Sequence, residues 1–221
     1  MATLVNAETE LKYQLTAEHV EPLVAWLNAH AMAVGQKHLE NLYFDTEEQE
    51  LGVQKIGLRI RRWPGGAEQT VKLQGREEGA LSARPEYNVP TSASVPDLTR
   101  FPAHIWPAGI DPQVITPRLQ LQFEVSFQRR FWHVDTADSL LEVALDEGLI
   151  KAGGKQEAIL ELELELKSGN ESSLLKWAEN LTQHFNLQAG TKSKAQRGYA
   201  LLETSLSETS LSETSLSEKE V

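Results

Sequence analysis

Residues 160–166 read Leu160-Glu161-Leu162-Glu163-Leu164-Glu165-Leu166. Alternation of this kind has the two-residue period of a β-strand, with every glutamate on one face and every leucine on the other. For one strand alone, the plain reading is a half-buried sheet whose outer face is solvated. The same segregation recurs along the chain. Glu8, Glu10 and Lys12 share a face opposite Leu11 and Tyr13, and Arg59 and Arg61 are backed by Leu58 and Ile60. Lys72 lies between Val71 and Leu73, while Arg84, Glu86 and Asn88 alternate in their turn.

Strands read at about 6–15, 38–44, 55–63, 69–74, 84–90, 119–134, 140–146 and 157–167. Pro64-Gly65-Gly66 is a strong turn and makes 55–63 and 69–74 an antiparallel hairpin. After Thr16, a suitable N-cap, Val20, Leu23, Val24 and Leu27 recur at helical spacing, with Glu18 and Glu21 in the first turn. Leu174, Leu175, Trp177, Ala178, Leu181 and Phe185 mark a second amphipathic helix, and a shorter one is expected from residue 193 to about 202. Residues 91–118, Pro-rich and mostly polar, read as a connection with one helical turn between two halves of a single domain, docked by Phe101, Ile105, Trp106 and Ile110. About eight strands with two or three helices give an α+β chain, and the many short strands and hairpins point to a closed or nearly closed sheet.

Closure would turn the charge pattern into chemistry. Three carboxylates at i, i+2 and i+4 stand only about 7 Å apart and repel one another. A divalent cation such as Mg²⁺ or Mn²⁺ takes hard oxygen ligands and relieves that repulsion. Arg-x-Arg on a neighbouring strand suits a polyphosphate, because guanidinium forks match phosphate oxygens. If both sets face one interior, the lumen is a metal-plus-polyanion site.

The 221 residues carry 21 Lys+Arg against 32 Asp+Glu, a formal charge of −11, which argues against a general nucleic-acid coat or a polybasic membrane surface. The chain has no cysteine, so disulfides, thiolate nucleophiles, Fe–S clusters and Cys-type zinc sites are excluded. Six scattered histidines form no metal-ligand spacing, and no glycine-rich phosphate loop of the Rossmann or Walker type exists. Trp26, Trp106 and Trp177 read as packing residues rather than base-stacking platforms. Residues 1–15 lack a basic, apolar secretory signal and no stretch approaches 18 apolar residues, so no membrane partner and a cytoplasmic location are expected. Residues 203–217 are three copies of Glu-Thr-Ser-Leu-Ser, followed by Glu-Lys-Glu-Val; with one leucine per repeat, 203–221 is expected to be a disordered tail on a 1–202 body. The tail holds five glutamates against one lysine, leaving −7 on the body.

Glu8-Thr9-Glu10-Leu11-Lys12 resembles the ExExK signature of the CYTH, or triphosphate tunnel metalloenzyme, superfamily. Leu42-Tyr43-Phe44-Asp45, Leu58-Arg59-Ile60-Arg61, Thr70-Val71-Lys72, Arg84-Pro85-Glu86-Tyr87-Asn88, Glu142-Val143-Ala144-Leu145-Asp146, the Glu161 to Glu165 run, and Ser193-Lys194 through Arg197-Gly198-Tyr199 follow in the family's order. The pattern most resembles the bacterial inorganic triphosphatase branch, whose members often carry a C-terminal helical CHAD domain that this sequence does not show.

The resemblance implies an eight-stranded antiparallel β-barrel with flanking helices that hydrolyses inorganic tripolyphosphate to pyrophosphate and phosphate with Mg²⁺ or Mn²⁺. It implies Glu8, Glu10, Glu161 and Glu163 as metal carboxylates, joined by Glu165, and Lys12, Arg59, Arg61, Lys72, Arg84 and Lys194 as phosphate ligands. In Gln128-Arg129-Arg130 one arginine should reach the tunnel: the resemblance favours Arg129, whereas alternation from Glu124 favours Arg130. Glu86, Glu142 and Asp146 would orient basic side chains, or serve a second metal or its water. Related tunnels act as thiamine triphosphatases, RNA triphosphatases or class IV adenylate cyclases, and the shared motifs do not separate these. A binding module without turnover is the non-enzymatic alternative, which the carboxylate sets disfavour, since polyanion binding alone would not favour added negative charge.

Overall fold

A computed structural model describes residues 3–217, with side-chain surroundings for residues 7–205. Ten strands occur in chain order: β1 (Thr3–Gln14), β2 (Met32–Asp45), β3 (Gly57–Trp63), β4 (Gly66–Lys72), β5 (Arg76–Glu78), β6 (Leu81–Pro90), β7 (Gln120–Asp135), β8 (Leu140–Ala152), β9 (Lys155–Ser168) and β10 (Gln188–Ala189). They form one antiparallel sheet, and β1 pairs with both β9 and β6. That second pairing closes β1-β9-β8-β7-β2-β3-β4-β6 into an eight-stranded barrel, leaving β5 and β10 as short appendages. The helices are α1 (Ala17–His30), α2 (Glu50–Val53), α3 (Pro112–Ile115), α4 (Glu171–Phe185) and α5 (Lys194–Ser217).

Local chemistry sets the element boundaries. Trp63 pairs with Gly66 across Pro64-Gly65, where Pro fixes the first turn residue and Gly65 takes φ 97°, the arrangement of a type II turn. At the start of α1 the Thr16 N–H donates to His19 Nδ1 at 3.0 Å, satisfying a backbone donor as the helix begins. The 91–118 connection is more helical than one turn: it contains α3 and 3₁₀ turns at Leu98–Arg100, Ala103–Ile105 and Thr116–Arg118. Asp97 and Asp111 each cap one of them by accepting from the N–H two residues on. The Gln69 side chain ties the connection to β4 through the Asp97 backbone, accepting at 2.8 Å and donating at 3.0 Å.

The apolar strand faces point outward and helices cover them. Leu162 and Leu164 of β9, with Leu141, Val143 and Leu145 of β8, pack beneath Leu23 and Leu27 of α1 and Leu174 and Leu181 of α4. On the other side Leu58, Ile60, Val71, Tyr87 and Val89 are covered by Leu98, Phe101, Ile105, Ile110 and Ile115 of the connection. A third cluster lies inside one end of the barrel, where Tyr43, Phe123, Val125 and Phe127 meet Ala195 and Tyr199 of α5. The outer faces and one end are therefore apolar and covered, which leaves the rest of the interior to charged side chains.

α5 runs on past residue 202, where the sequence pattern places its end, to Ser217. Serine and threonine disfavour helix only mildly, and after Gly198 the sequence offers no glycine or proline to stop propagation. Residues 218–221, the end of the expected tail, lie outside the described residues.

Candidate active site

The barrel encloses a cavity of about 290 Å³, lined by nine basic and eight acidic side chains, so its balance is unlike the −11 of the chain. The lining includes Glu8, Glu10, Lys12, Arg59, Arg61, Lys72, Arg84, Arg129, Glu163, Glu165 and Lys194, every expected ligand except Glu161. Glu86 and Glu142 line it as well. Strand parity explains the convergence: an odd-even alternation puts each charged set inward wherever its apolar partners are covered outside.

The carboxylate wall is built by β1 and β9, where Glu10 is paired with Glu165 and Lys12 with Glu163. Glu8 stands opposite Arg84 on β6, and its carboxylate takes an ion pair from Lys72, which also reaches Glu86 at 2.8 Å. Burial, followed by the repulsion of Glu10, Glu86 and Glu165 and against the pull of Lys72, pushes the Glu8 carboxyl up to about 7. Glu86 moves the other way: Lys72 and Arg59 outweigh its burial and hold it ionised, while the Asn88 amide donates to it at 2.7 Å. Thr70 in turn donates to Asn88 at 2.7 Å, so this acid is held in place from β4 and β6.

A second acidic group, Asp146, Glu161 and Glu163, brings carboxylate oxygens within 4.8 Å of one another. Lys194 from the first turn of α5 projects among them, donating to Asp146 at 2.7 Å, Glu161 at 2.5 Å and Glu163 at 2.9 Å. Arg129 makes a fork onto Asp146 with two bonds of 2.7 Å and also pairs with Glu163. Arg197 bonds Glu161 at 2.9 Å and Glu157 at 2.6 Å. Asp146 and Glu161 are almost fully buried below the cavity, where they orient Lys194, Arg129 and Arg197. Glu163 is different, because it faces the cavity and joins Lys12, Arg129 and Lys194, which outweigh its burial and hold it well below the usual carboxylate range.

The opposite wall is cationic and lightly compensated. Arg59 and Arg61 on β3 have no carboxylate within ion-pair distance among the described residues. Arg61 is aimed by Asn41, whose side-chain oxygen accepts from Nε at 2.8 Å while its amide donates to the Val125 carbonyl. Arg59 faces Tyr43, whose hydroxyl it pulls below the ordinary value despite complete burial. Burial, then Arg59 and Arg129, push Arg61 down, so this wall is short of negative charge. Arg84 donates to the Leu73 carbonyl at 2.8 Å and is likewise held by backbone rather than by acid.

Arg129 faces inward, while Arg130 pairs with Glu147 on the outside. Alternation from Glu124 points to Arg130 only if Glu124 is inside, and Glu124 is exposed on the outer parity it shares with Arg130. Asn41, Lys37 and Lys167 belong to the site without being singled out from sequence, and Tyr43 and Arg197, quoted there only inside motifs, join them. Asn41 and Tyr43 alternate with the apolar Leu42 and Phe44, and Lys167 extends the glutamate series, so their shared faces are legible from period alone. Arg197 sits one turn from Lys194, the helical spacing that lets both reach Glu161.

The CYTH domain profile matches residues 6–199. The chain belongs to the CYTH domain family. Its sequence is 34% identical over 204 residues to an inorganic triphosphatase of Haemophilus influenzae, a match covering 91% of this chain and 56% of that protein. The CYTH chain thus spans little more than half the length of that curated relative. Among solved structures, a putative adenylyl cyclase from Hippeastrum, described as having a dominant triphosphatase activity, superposes with a TM-score of 0.68 at 14% identity, covering 88% of this chain and 96% of that one. A putative adenylate cyclase from Bacillus halodurans gives 0.60 at 22% identity over 87% and 97%. At these identities the two likenesses speak for the fold, and they agree with the closed CYTH barrel. Among the described residues no helix is long and apolar enough to cross a membrane.

The donor set of this CYTH barrel suits a divalent cation. Glu8, Glu10, Glu163 and Glu165 are hard oxygen donors on adjacent strands, and the Glu8 carboxyl is raised first by burial and then by its acidic neighbours, both of which a bound cation would offset. One consequence is testable in chelator. Glu8 has an ordinary value of 4.5 and titrates near 7 when folded, so its contribution to stability is complete below 4.5 and is lost as pH rises through 7. Unfolding free energy measured by denaturant titration is expected to fall between about pH 5 and 7.5, by at most about 1.4 kcal/mol per pH unit from this group. The Glu8→Gln protein should lose that slope; an unchanged slope would assign it to another group.

Proposed function

We propose that this chain hydrolyses inorganic tripolyphosphate to pyrophosphate and phosphate, using Mg²⁺ or Mn²⁺ held by lumen carboxylates. The observation that carries the reading is the separation of charge inside one cavity. Arg59, Arg61 and Arg84 face it without a carboxylate at ion-pair distance among the described residues, opposite a wall where Glu8, Glu10, Glu163 and Glu165 stand together on adjacent strands. A linear polyanion bridging a bound cation and an arginine wall satisfies both. The triphosphatase relative of Haemophilus influenzae supports the substrate class.

Arg59, Arg61, Arg84, Lys72, Lys12 and Arg129 would neutralise and align the phosphate oxygens, with Lys194 beside Glu163 completing the cationic side. Glu8, Glu10, Glu163 and Glu165 would hold the metal, and Glu161, Asp146, Glu86 and Glu142 would keep the basic side chains in position. When bound, the divalent cation supplies charge neutralisation on the phosphoryl oxygens and activation of water. Water attacks a terminal phosphorus in line, the bridging P–O bond breaks, and pyrophosphate leaves as the fixed cations stabilise the charge it gathers. The water's proton passes to the lumen carboxylates. A small-molecule substrate, no nucleic-acid partner and a cytoplasmic location complete the proposal.

Phosphate release should be measured with tripolyphosphate, ATP, thiamine triphosphate and long-chain polyphosphate, each with Mg²⁺, with Mn²⁺ and with chelator. Tripolyphosphate is expected to give the highest kcat/KM, and chelator to remove it. Release from none of the four would leave a polyphosphate-binding module; preference for ATP or thiamine triphosphate would move the substrate within the family.

A further inference from the structure

Lys37 on β2 lines the same cavity and differs from its other lysines. Lys12 has Glu163 at 3.4 Å, Lys72 has Glu86 at 2.8 Å, Lys167 has Glu165 at 2.8 Å and Lys194 has Asp146 at 2.7 Å. Lys37 has no carboxylate within ion-pair distance among the described residues, and its ammonium rests 4.7 Å from the centroid of the Phe131 ring. Burial pushes its ammonium down, Glu142 pulls against this, and three cations add to the push: Arg129, its direct partner on β7, with Arg61 and Lys167. The carboxylate that acts on it, Glu142, is already shared by Arg129 at 3.8 Å and His133 at 3.7 Å. A half-buried ammonium beside three other cations is unfavourable unless an anion completes the set.

Its position says which part of an anion that is. Along β2 the inward side chains run Tyr43, Asn41, Leu39, Lys37; Tyr43 pairs with Arg59 and Asn41 with Arg61, whereas the β2–β3 ladder stops at Glu40 and Arg62. Lys37 therefore lies beyond Arg61, towards the end of the barrel away from α5. A phosphate chain laid along Arg59 and Arg61 would present its outer phosphate there. We propose that Lys37 binds the outer phosphate of the substrate and selects a free terminal phosphate over an esterified one. A free terminal phosphate offers a full set of non-bridging oxygens and more charge than a phosphate carrying a nucleoside, whose sugar would also crowd Phe131. The inference rests on the triphosphate reading above.

The test is Lys37→Met, which keeps the aliphatic stem on Phe131 and removes the charge, with Lys37→Arg as the charge-conserving control. For tripolyphosphate, Lys37→Met should raise KM about tenfold or more with kcat little changed, because a charge-assisted contact to the outer phosphate is lost. ATP also ends in a free γ-phosphate, but with that end at the site of attack its esterified α-phosphate would meet Lys37, so its KM should change by less than about threefold, and Lys37→Arg should restore most of the preference. Equal effects on both substrates, or no effect on either, would overturn the proposal. If the unsubstituted protein turns over neither compound, the functional reading fails, and Lys37 is judged by calorimetry in chelator. There, Lys37→Met should weaken tripolyphosphate binding about tenfold and ATP binding less; unchanged affinity, or equal weakening of both, would overturn it.

Discussion

Glu163→Gln is expected to lower tripolyphosphate kcat in saturating Mg²⁺ by about a thousandfold while the protein stays folded. Glutamine preserves the shape of the side chain and leaves the outward packing of Leu162 and Leu164 untouched. What it removes is the one charge shared by Lys12, Arg129 and Lys194, together with a carboxylate oxygen on the cavity surface. Three buried cations are then left with less counter-charge, so a stability loss of about 3 kcal/mol should accompany the change. Phosphate release, near-UV circular dichroism and denaturant titration read the three quantities. Full turnover by a folded Glu163→Gln protein would remove this residue from the site.

Gly198→Ala should act on the same chemistry from a distance. A Cβ at residue 198 would overlap the Phe123 ring, which has little room to retreat. That ring is stacked on Tyr43 at 4.6 Å and meets the edge of Tyr199 at 5.0 Å. The helix must shift instead, and Lys194 lies one turn earlier on it. Overpacking of this kind costs about 1–3 kcal/mol, and displacing Lys194 from Asp146, Glu161 and Glu163 would disturb the cation set that Arg129 shares. Denaturant titration should show the destabilisation and phosphate release a concurrent fall in kcat. Stability and turnover both unchanged would mean that α5 does not fix the floor of the cavity.

The strand pattern transferred well because burial on one face is what makes alternation readable. Glu161, Glu163 and Glu165 alternate with leucines that the structure covers with α1 and α4. Where neither face is simply apolar the pattern was ambiguous, as at Gln128-Arg129-Arg130. There the outward residues Trp132 and Val134 are buried by helices, and Phe123, Val125 and Phe127 are buried by the barrel itself. Both parities looked internal, and only the location of α1, α4 and α5 distinguishes them. The roles within the glutamate series were equally hidden. Glu161 and Glu163 have the same neighbours in sequence, yet one lies beneath Lys194 and the other faces the cavity.

By itself the sequence determined which residues can occupy one face of each strand, since the side-chain period of a strand is two wherever the strand is placed. It therefore fixed the inventory of lumen charges, including the Arg59/Arg61 pair and the β1 and β9 carboxylates. Pairing partners across the barrel are another matter, because they depend on closure between segments far apart in the chain. Closure through β1 and β6 brings Glu8 to Lys72, which the β4–β6 ladder has already set beside Glu86, and the seating of α5 delivers Lys194 to Glu161. Those contacts leave Arg59, Arg61 and Lys37 without a carboxylate at ion-pair distance among the described residues. The sequence supplied the charges, and the tertiary structure decided which of them remain free for a substrate, because ion pairing is settled by distances of a few ångströms that no local pattern encodes.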